Sequence, residues 1–523
     1  MQEPDDKQGS AAYYLDLIES AQKAPEMKEW DERCKKIRKK YRYEKSNTTR
    51  TRQYQILWSN MEVMKPSVLA KPPQPVVQRR YRDQDQIGRE ACDLLERAVR
   101  FQVESNDYFS RLEQVRDDYL LYGRGVARIF YEPVTLTTPD ADDVDGLDET
   151  SMRGPEAEAK EEIEEAVEHN NPNEVLDFEN VKLRFVQRED FVCQAARVWD
   201  EVNWVAFRAY LGKDDLVERF GKELADKIPL DATPDAPGDE RGVSKAPSTM
   251  DKATIWEFWD KEKFKVCWIA KGYPEVLECS DPYLKLDGFF PCPKPAFGTL
   301  STDSLAPVPD YVYYQDQAEE IDTLTARIGA LQQALKLVGF YPAGPQGEGA
   351  PEIERAMTPG FENKLIAVKS WAAFTEGGKG SAPVVWLPVD QVGELLRGCV
   401  ELRKQLIDDI YQIVGISDIM RGDGDAQETA TAQSIKAQAG SVRIRERQAE
   451  IARFSRDVIR MVAQVVCDQF QPETLLKMTN MKLPTRAQVE QQMMMAQQQA
   501  LMMQAAQAQQ AQLQAPAPQG APL

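Results

Sequence analysis

A chain of 523 residues, 42% apolar and 29% charged, is long enough to bury a sizeable core and is expected to form roughly 2–4 domains. Its formal charge of -20 excludes the strongly basic footprint of a tight DNA-binding domain. A single histidine, His169, removes His-dependent triads and two-His metal sites from consideration.

Cysteines at 34, 92, 193, 267, 279, 292, 399 and 467 form no CxxC pair and no zinc-ligand cluster, so reduced, mostly buried thiols are expected. Neither GxxxxGK[ST] nor GxGxxG occurs. No apolar run approaches the roughly 18–20 residues that cross a bilayer. The opening "MQEPDDKQGS" carries no basic stretch followed by an apolar one, and synthesis in the cytoplasm is the expectation.

Along the chain, "YYLDLIESAQKA" and "WDERCKKIRKKYRYEK" have helical composition. The second is basic, which reads as a solvated helix face or, more sharply, as a phosphate-contacting patch. "QYQILWSNMEVMKPSVLAKPPQPVV" begins as an amphipathic helix, and Pro66, Pro72, Pro73 and Pro75 force an extended exit. Ile87, Cys92, Leu95, Val99 and Val103 define one further helix face; Tyr108, Leu112, Val115, Tyr119 and Tyr122 define another, with Gly123 placed to end it. "GVARIFYEP" reads as a strand ending at Pro133.

Residues 140–179 hold sixteen acidic and two basic side chains, which is -14 of the total charge; they read as a solvated surface insertion. "VKLRFVQREDFVC" reads as a strand pair and "KDDLVERFG" as a short helix. In "TIWEFWDKEKFKVCWIA", Trp256 and Phe258 lead to a turn at residues 260–263, and Phe264, Val266 and Trp268 alternate on the return. Such an aromatic row packs a core or stacks bases.

The second half changes character. Ile321, Leu324, Ile328, Leu331, Leu335 and Val338 step by three and four residues, an apolar stripe on a helix over residues 311–338, roughly 40 Å long at 1.5 Å per residue. A Gly- and Pro-dense stretch with strand-like "KLIAV" and "PVVWL" follows, then a second long helix over 390–413 with Leu395, Val400, Leu402, Leu406 and Ile410 as packing residues. Next comes a polar hinge, "GISDIMRGDGDAQETATAQS". A third helix over 429–468 places Ile435, Val442, Ile451, Phe454, Val458 and Val462 inward, with Gly440 marking a bend. Its seven basic residues, Lys436, Arg443, Arg445, Arg447, Arg453, Arg456 and Arg460, face solvent, acidic neighbours or an anionic partner. Residues 485–514 are mostly Gln, Met and Ala: helical in propensity, and stable as a bundle of copies rather than alone.

The hinge misplaces its glycine for an EF-hand, although Asp423, Asp425 and Glu428 could ligate a divalent ion. Ser417 and Thr429 lack a partner base. No catalytic set emerges, and neither enzyme activity nor a cofactor is expected.

The order of these elements resembles a bacteriophage portal protein, the head-to-tail connector of tailed phages, of the podovirus type. The likeness spans roughly residues 50–470 and rests on "NMEVMKPSVLAKPP", "DDYLLYGRGVARIFYEP", "PVPDYVYYQDQAEEIDTLTARI" and, most specifically, "IYQIVGISDIMRGDGDAQETATAQSIKAQ". It implies an α+β fold of portal type with an α/β wing (1–308), two long stem helices (309–338 and 390–414) and a small α/β clip (339–389). A tunnel loop (415–431) would lead to a long bent helix and helical crown (432–484), and the tail (485–523) would form a helical barrel or stay disordered.

The resemblance further implies a homo-oligomeric ring of about twelve copies closed by head-to-tail contacts. The ring would sit at one capsid vertex of the virion after assembly in the host cytoplasm. Double-stranded DNA would pass through its channel. Its partners would be the terminase large subunit and then a tail adaptor protein at the clip, with the major capsid and scaffolding proteins, and no membrane. Ile419, Met420, Arg421, Gly422, Asp423, Gly424 and Asp425 would face the DNA. Ile321, Leu324, Ile328, Leu331, Leu335, Leu402, Leu406 and Ile410 would pack the stem into the ring. Two rivals remain: a non-viral α+β/coiled-coil scaffold or adaptor, and a metal-dependent nuclease using Asp423, Asp425 and Glu428.

Overall fold

The computed structural model describes residues 10–44, 52–81, 86–137, 174–230, 252–335, 338–342, 364–368, 385–386, 389–416, 430–481 and 494–495. The class is α+β, with helices beside antiparallel sheets. The chain divides into two compact units, one built from residues 1–74, 106–131 and 181–465, the other from 75–105, 132–180 and 466–523.

The first unit opens with α1 (Ala11–Lys23) and α2 (Pro25–Tyr41). The Ser10 hydroxyl accepts the Tyr13 amide at 3.4 Å to cap α1, and Pro25 begins α2 where its missing N–H leaves no bond unmade. The basic character of α2 is largely neutralised in place: Lys35 pairs with Asp31 at 2.8 Å, Arg38 with Glu189 at 3.3 Å, and Lys40 with Asp322. α3 (Ile56–Val68) and α5 (Tyr108–Tyr122) pack together, and Gly123 ends α5 at φ +80, as its position in the sequence suggested.

The central feature is a five-stranded antiparallel sheet in the order β3-β4-β5-β6-β7. Its strands are β3 (Phe191–Cys193), β4 (Trp204–Leu211), β5 (Ala253–Asp260), β6 (Lys265–Ala270) and β7 (Val276–Ser280). One face is covered by α1, whose Tyr14 and Ile18 meet Trp204, Trp256, Phe258, Cys267 and Ile269. The opposite face is covered twice. α6 (Lys213–Phe220) and α7 (Lys222–Ala225) pack on Ile255 and Trp268, while Phe289, Phe290 and Phe297 pack on Phe207, Trp259 and Val266. With both faces buried, the strands are apolar on successive residues rather than alternating.

Three sequence expectations change here. Register pairs Phe258 with Cys267 and Glu257 with Trp268, so Trp256 and Phe258 lie on one face and Trp268 on the other; there is no single aromatic row, and all three are buried. Phe264 belongs to the turn, at φ 51 and 63% exposed, rather than to the strand alternation. Finally, the register sets Cys267 opposite Cys279, and the two form a disulfide, in place of the reduced thiols expected for every cysteine. Cys34 and Cys292 are free and buried, and Cys467 is free and exposed.

β1 (Arg124–Thr137) lies between β2 (Glu174–Val186) and β8 (Ala296–Phe297) in a separate three-stranded sheet. The segment read as one strand pair over 181–193 is therefore divided: its first half ends β2, a short 3-10 turn at Arg188–Asp190 intervenes, and its second half is β3 of the other sheet. β9 (Thr299–Leu300) and β10 (Pro307–Val308) form a small antiparallel pair.

Between the two long helices of the second half lies a three-stranded sheet, β12-β11-β13. β11 (Val338–Pro342) runs parallel to β12 (Lys364–Val368), the expected "KLIAV" strand, and antiparallel to β13 (Val385–Trp386).

In the second unit, α4 (Gln86–Ser105) packs on α11 (Pro472–Thr479). Glu179, counted at sequence level within a solvated acidic insertion, is buried here: its carboxylate accepts the Gln471 amide at 2.7 Å and its carbonyl accepts Gln102 Nε2 at 3.2 Å. A helix-start amide held by a carboxylate is a favourable cap, so this acid has a structural task that its charged neighbourhood concealed. Residues 140–173 of that insertion fall outside the described set, and residues 174–178 lie in β2.

Candidate functional site

The two long helices are α8 (Gln315–Ala334) and α9 (Val389–Val414). A 3-10 turn at Asp310–Tyr313 leads into α8, and Tyr311, Tyr314, Ala318, Ile321 and Leu324 are buried along its first half. Ile328, Leu331 and Leu335 continue the expected stripe but are only half-buried, and Val338 leaves it, lying in β11.

α9 shows the opposite gradient along its sequence. Leu395, Val400 and Leu402 are 62%, 42% and 42% exposed, Leu406 is half-buried, and Ile410, Tyr411 and Val414 are buried. The helices run antiparallel, since Tyr311 and Tyr314 gather with Val414 while Leu324 and Arg327 face residues 391–402. One end of the pair is thus embedded in apolar side chains from α3 and α5, including Leu57, Met61 and Leu120. The other end carries an open groove of about 460 Å³ lined by Leu324, Arg327, Glu394, Leu395, Cys399 and Leu402. Midway, Asp322 of α8 pairs with Lys40 and accepts the Tyr54 amide at 2.7 Å, and Arg403 of α9 lies 5.6 Å from the Tyr54 ring centre.

The embedded end is locked by α10 (Ala430–Gln469). Arg443 donates to the carbonyls of Gln412 and Ile413, orphan acceptors at the end of α9. One turn further on, Arg447 pairs with Asp310, immediately before α8. Burial raises the Asp310 carboxyl above the usual range against the pull of Arg447 and Arg443. Gly415 turns the chain out of α9 at φ +78, and a Cβ there would lie 2.9 Å from Arg443 Cδ. These residues border a cleft of about 550 Å³ with Tyr119, Phe297, Glu446 and Glu450.

The remaining arginines of α10 are distributed as surface and paired groups. Arg453 joins Glu450 and Asp457 at 2.7 and 2.9 Å, Arg456 joins Asp457 at 2.8 Å, and Arg445 is exposed. Ile451, Phe454, Val458 and Val462 are buried as expected, with Ile444 added to their face.

Of the residues singled out from sequence, Ile321, Leu324, Ile328 and Leu331 lie on α8, Leu335 just past its end, and Leu402, Leu406 and Ile410 on α9. Ile419, Met420, Arg421, Gly422, Asp423, Gly424, Asp425 and Glu428 lie outside the described residues. Sequence reasoning missed the Asp310–Arg447 pair and the Arg443 cap. The i, i+4 spacing of the two arginines was visible, but not the helix ends they reach. Among the described residues no group of three His, Cys, Asp or Glu side chains is placed to hold a metal, and no helix is long and apolar enough to cross a membrane. No family model matches the chain, and no curated protein does either.

Proposed function

We propose that the chain is a portal-type connector: a closed ring of about twelve copies at a capsid vertex, around a channel for double-stranded DNA. The observation that supports this reading most directly is the burial gradient along α8 and α9. A helix pair anchored firmly at one end leaves Leu395, Val400, Leu402 and an apolar-walled groove open at the other. Burying one such side chain contributes about 1.5–3 kcal/mol. Repetition of that contact around an axis gives a head-to-tail interface that closes on itself.

In this reading α8 and α9 form the stem and the β11–β13 sheet belongs to the clip, which receives the terminase large subunit and later a tail adaptor. Major capsid and scaffolding proteins surround the outer part. The hinge at 415–431 meets the moving DNA without reading its bases, a task for polar, pliable backbone. The role is mechanical rather than catalytic.

Negative-stain electron microscopy and native mass spectrometry of the full chain test the proposal. Closed rings are expected, and Leu395→Glu with Leu402→Glu should yield monomers of unchanged circular dichroism. A wild-type chain that stays monomeric at high concentration, or a double variant that still forms rings, would refute it. Trimming residues 419–425 should leave ring formation intact while impairing DNA packaging or retention.

A further inference from the structure

We propose that Cys267 and Cys279 form a thiol–disulfide exchange site whose substrate class is a low-molecular-weight thiol. Cys279 is the sulfur attacked, and Tyr14 is the positioning residue that assists departure of Cys267. The proposal stands independently of the ring reading.

Three observations converge on it. The β6–β7 register sets the two cysteines directly opposite one another, so both side chains project from the same face of the sheet. Their surroundings are unequal. Cys267 is fully buried among Trp256, Phe258 and Ile269, whereas Cys279 is exposed on β7, the last strand of the sheet. An incoming thiolate can therefore reach only one of the two sulfurs, and access decides which is attacked.

The third observation concerns the sulfur that leaves. The Tyr14 hydroxyl lies 3.8 Å from Cys267 Sγ, close enough to donate to a thiolate forming there. The Lys263 ammonium, paired with Asp260 at 3.8 Å, sits 5.4 Å from the centre of the Tyr14 ring, in reach of the same corner. A buried thiolate among aromatic side chains is otherwise disfavoured by the loss of water. Burial does this to another cysteine of the same unit, pushing the Cys34 thiol up to about 12.

The exchange balances as follows. A thiolate attacks Cys279 Sγ and forms a mixed disulfide, while the electrons of the protein S–S bond pass to Cys267, which departs as a thiolate and takes up a proton. A second reagent thiolate attacks the reagent sulfur of the mixed disulfide and releases Cys279. Two reagent thiols become one disulfide, and the protein gains two thiols. In a thiol-rich medium β7 is then held by its ladder alone, next to the register slip at Trp268/Ile269. In an oxidising medium it is pinned covalently.

The test uses the full chain, isolated without reductant, and reduced glutathione as the probe. Quenching with iodoacetamide and mapping by mass spectrometry should find glutathione on Cys279 and the alkyl group on Cys267. Tyr14→Phe should slow the first step about three- to tenfold, and Lys263→Met, in an exposed turn, should slow it less. Hydrogen exchange over residues 276–280 should rise on reduction. Glutathione on Cys267 would overturn the proposal, as would alkylation of both cysteines before any reductant is added. Unchanged rates in both variants would remove Tyr14 from the step.

Discussion

Replacing Glu257 with Leu should destabilise the first unit more than any other conservative-volume change in its sheet. Glu257 lies inside β5 between aromatic residues, its side chain 3% exposed, and accepts three hydrogen bonds: from Arg128 Nη2 at 2.6 Å, Trp259 Nε1 at 2.8 Å and the Tyr283 hydroxyl at 3.1 Å. Arg128, 6% exposed, is held between Phe130 and Phe207, with ring centres 4.0 and 4.4 Å away. Without the carboxylate this guanidinium remains charged, buried and unneutralised, which costs about 3–5 kcal/mol. The stranded indole N–H adds about 1–2 kcal/mol.

The single variant should therefore lose about 4–7 kcal/mol in urea unfolding followed by tryptophan fluorescence. The double variant Arg128→Met/Glu257→Leu removes both charges and should recover to within about 2 kcal/mol of wild type. A single-variant loss below about 1 kcal/mol would refute the account of the pair as a buried, mutually dependent unit, as would a double variant no more stable than the single.

Gly415→Ala should destabilise by about 1–2 kcal/mol, because an alanine at φ +78 is strained and its Cβ crowds Arg443 Cδ. Calorimetry of the variant measures this loss, and pairing it with Arg443→Ala should relieve the crowding but not the backbone strain. Asp118 should make stability pH-dependent in an unusual direction. Burial, with the neighbouring charge of Asp117, pushes its carboxyl up to about 7 against the pull of Arg188 and Arg124. Between about pH 4 and pH 7 the folded chain keeps a proton that the unfolded chain has released, so this group's contribution declines as pH rises through that window and is level above it. Urea midpoints of Asp118→Asn compared with wild type from pH 4.5 to 8 should reveal a flatter profile in the variant.

The first long helix was legible because Ile321, Leu324, Ile328, Leu331 and Leu335 step by three and four, and the second from its helical run over 390–413; α8 and α9 cover most of both ranges. Their ends were less so: Val338 continues the spacing but is followed by Gly339 and belongs to β11. The hairpin of β5 and β6 could be read from its turn, whereas its facing could not. Both faces of the sheet are covered, which erases the alternation that would have shown Trp256 and Trp268 on opposite sides. Nothing local marks Cys279 as the partner of Cys267, because the pairing depends on β7, a strand of five residues that is exposed at Glu278 and Cys279 and half-buried at the other three. Contacts such as Asp310 with Arg447 join segments whose proximity only tertiary structure decides. A charged residue surrounded by aromatics, as Glu257 is in "IWEFW", was the one available hint of the buried pair with Arg128.

The position of α10 after the segments it ties down bears on how the polypeptide acquires its structure during synthesis. Gln448 donates to the Ser67 carbonyl across 381 residues of sequence, Arg447 holds Asp310, and Glu450 accepts the Phe297 amide. The ribosome must therefore deliver α3, the β8 strand and α8 well before the helix that ties them down. Contacts of such sequence separation form slowly and leave apolar surface uncovered in the interval. Truncation shortly before residue 443 should leave a nascent chain that chaperones retain, whereas release of the full chain should be followed by a single late consolidation of all three segments.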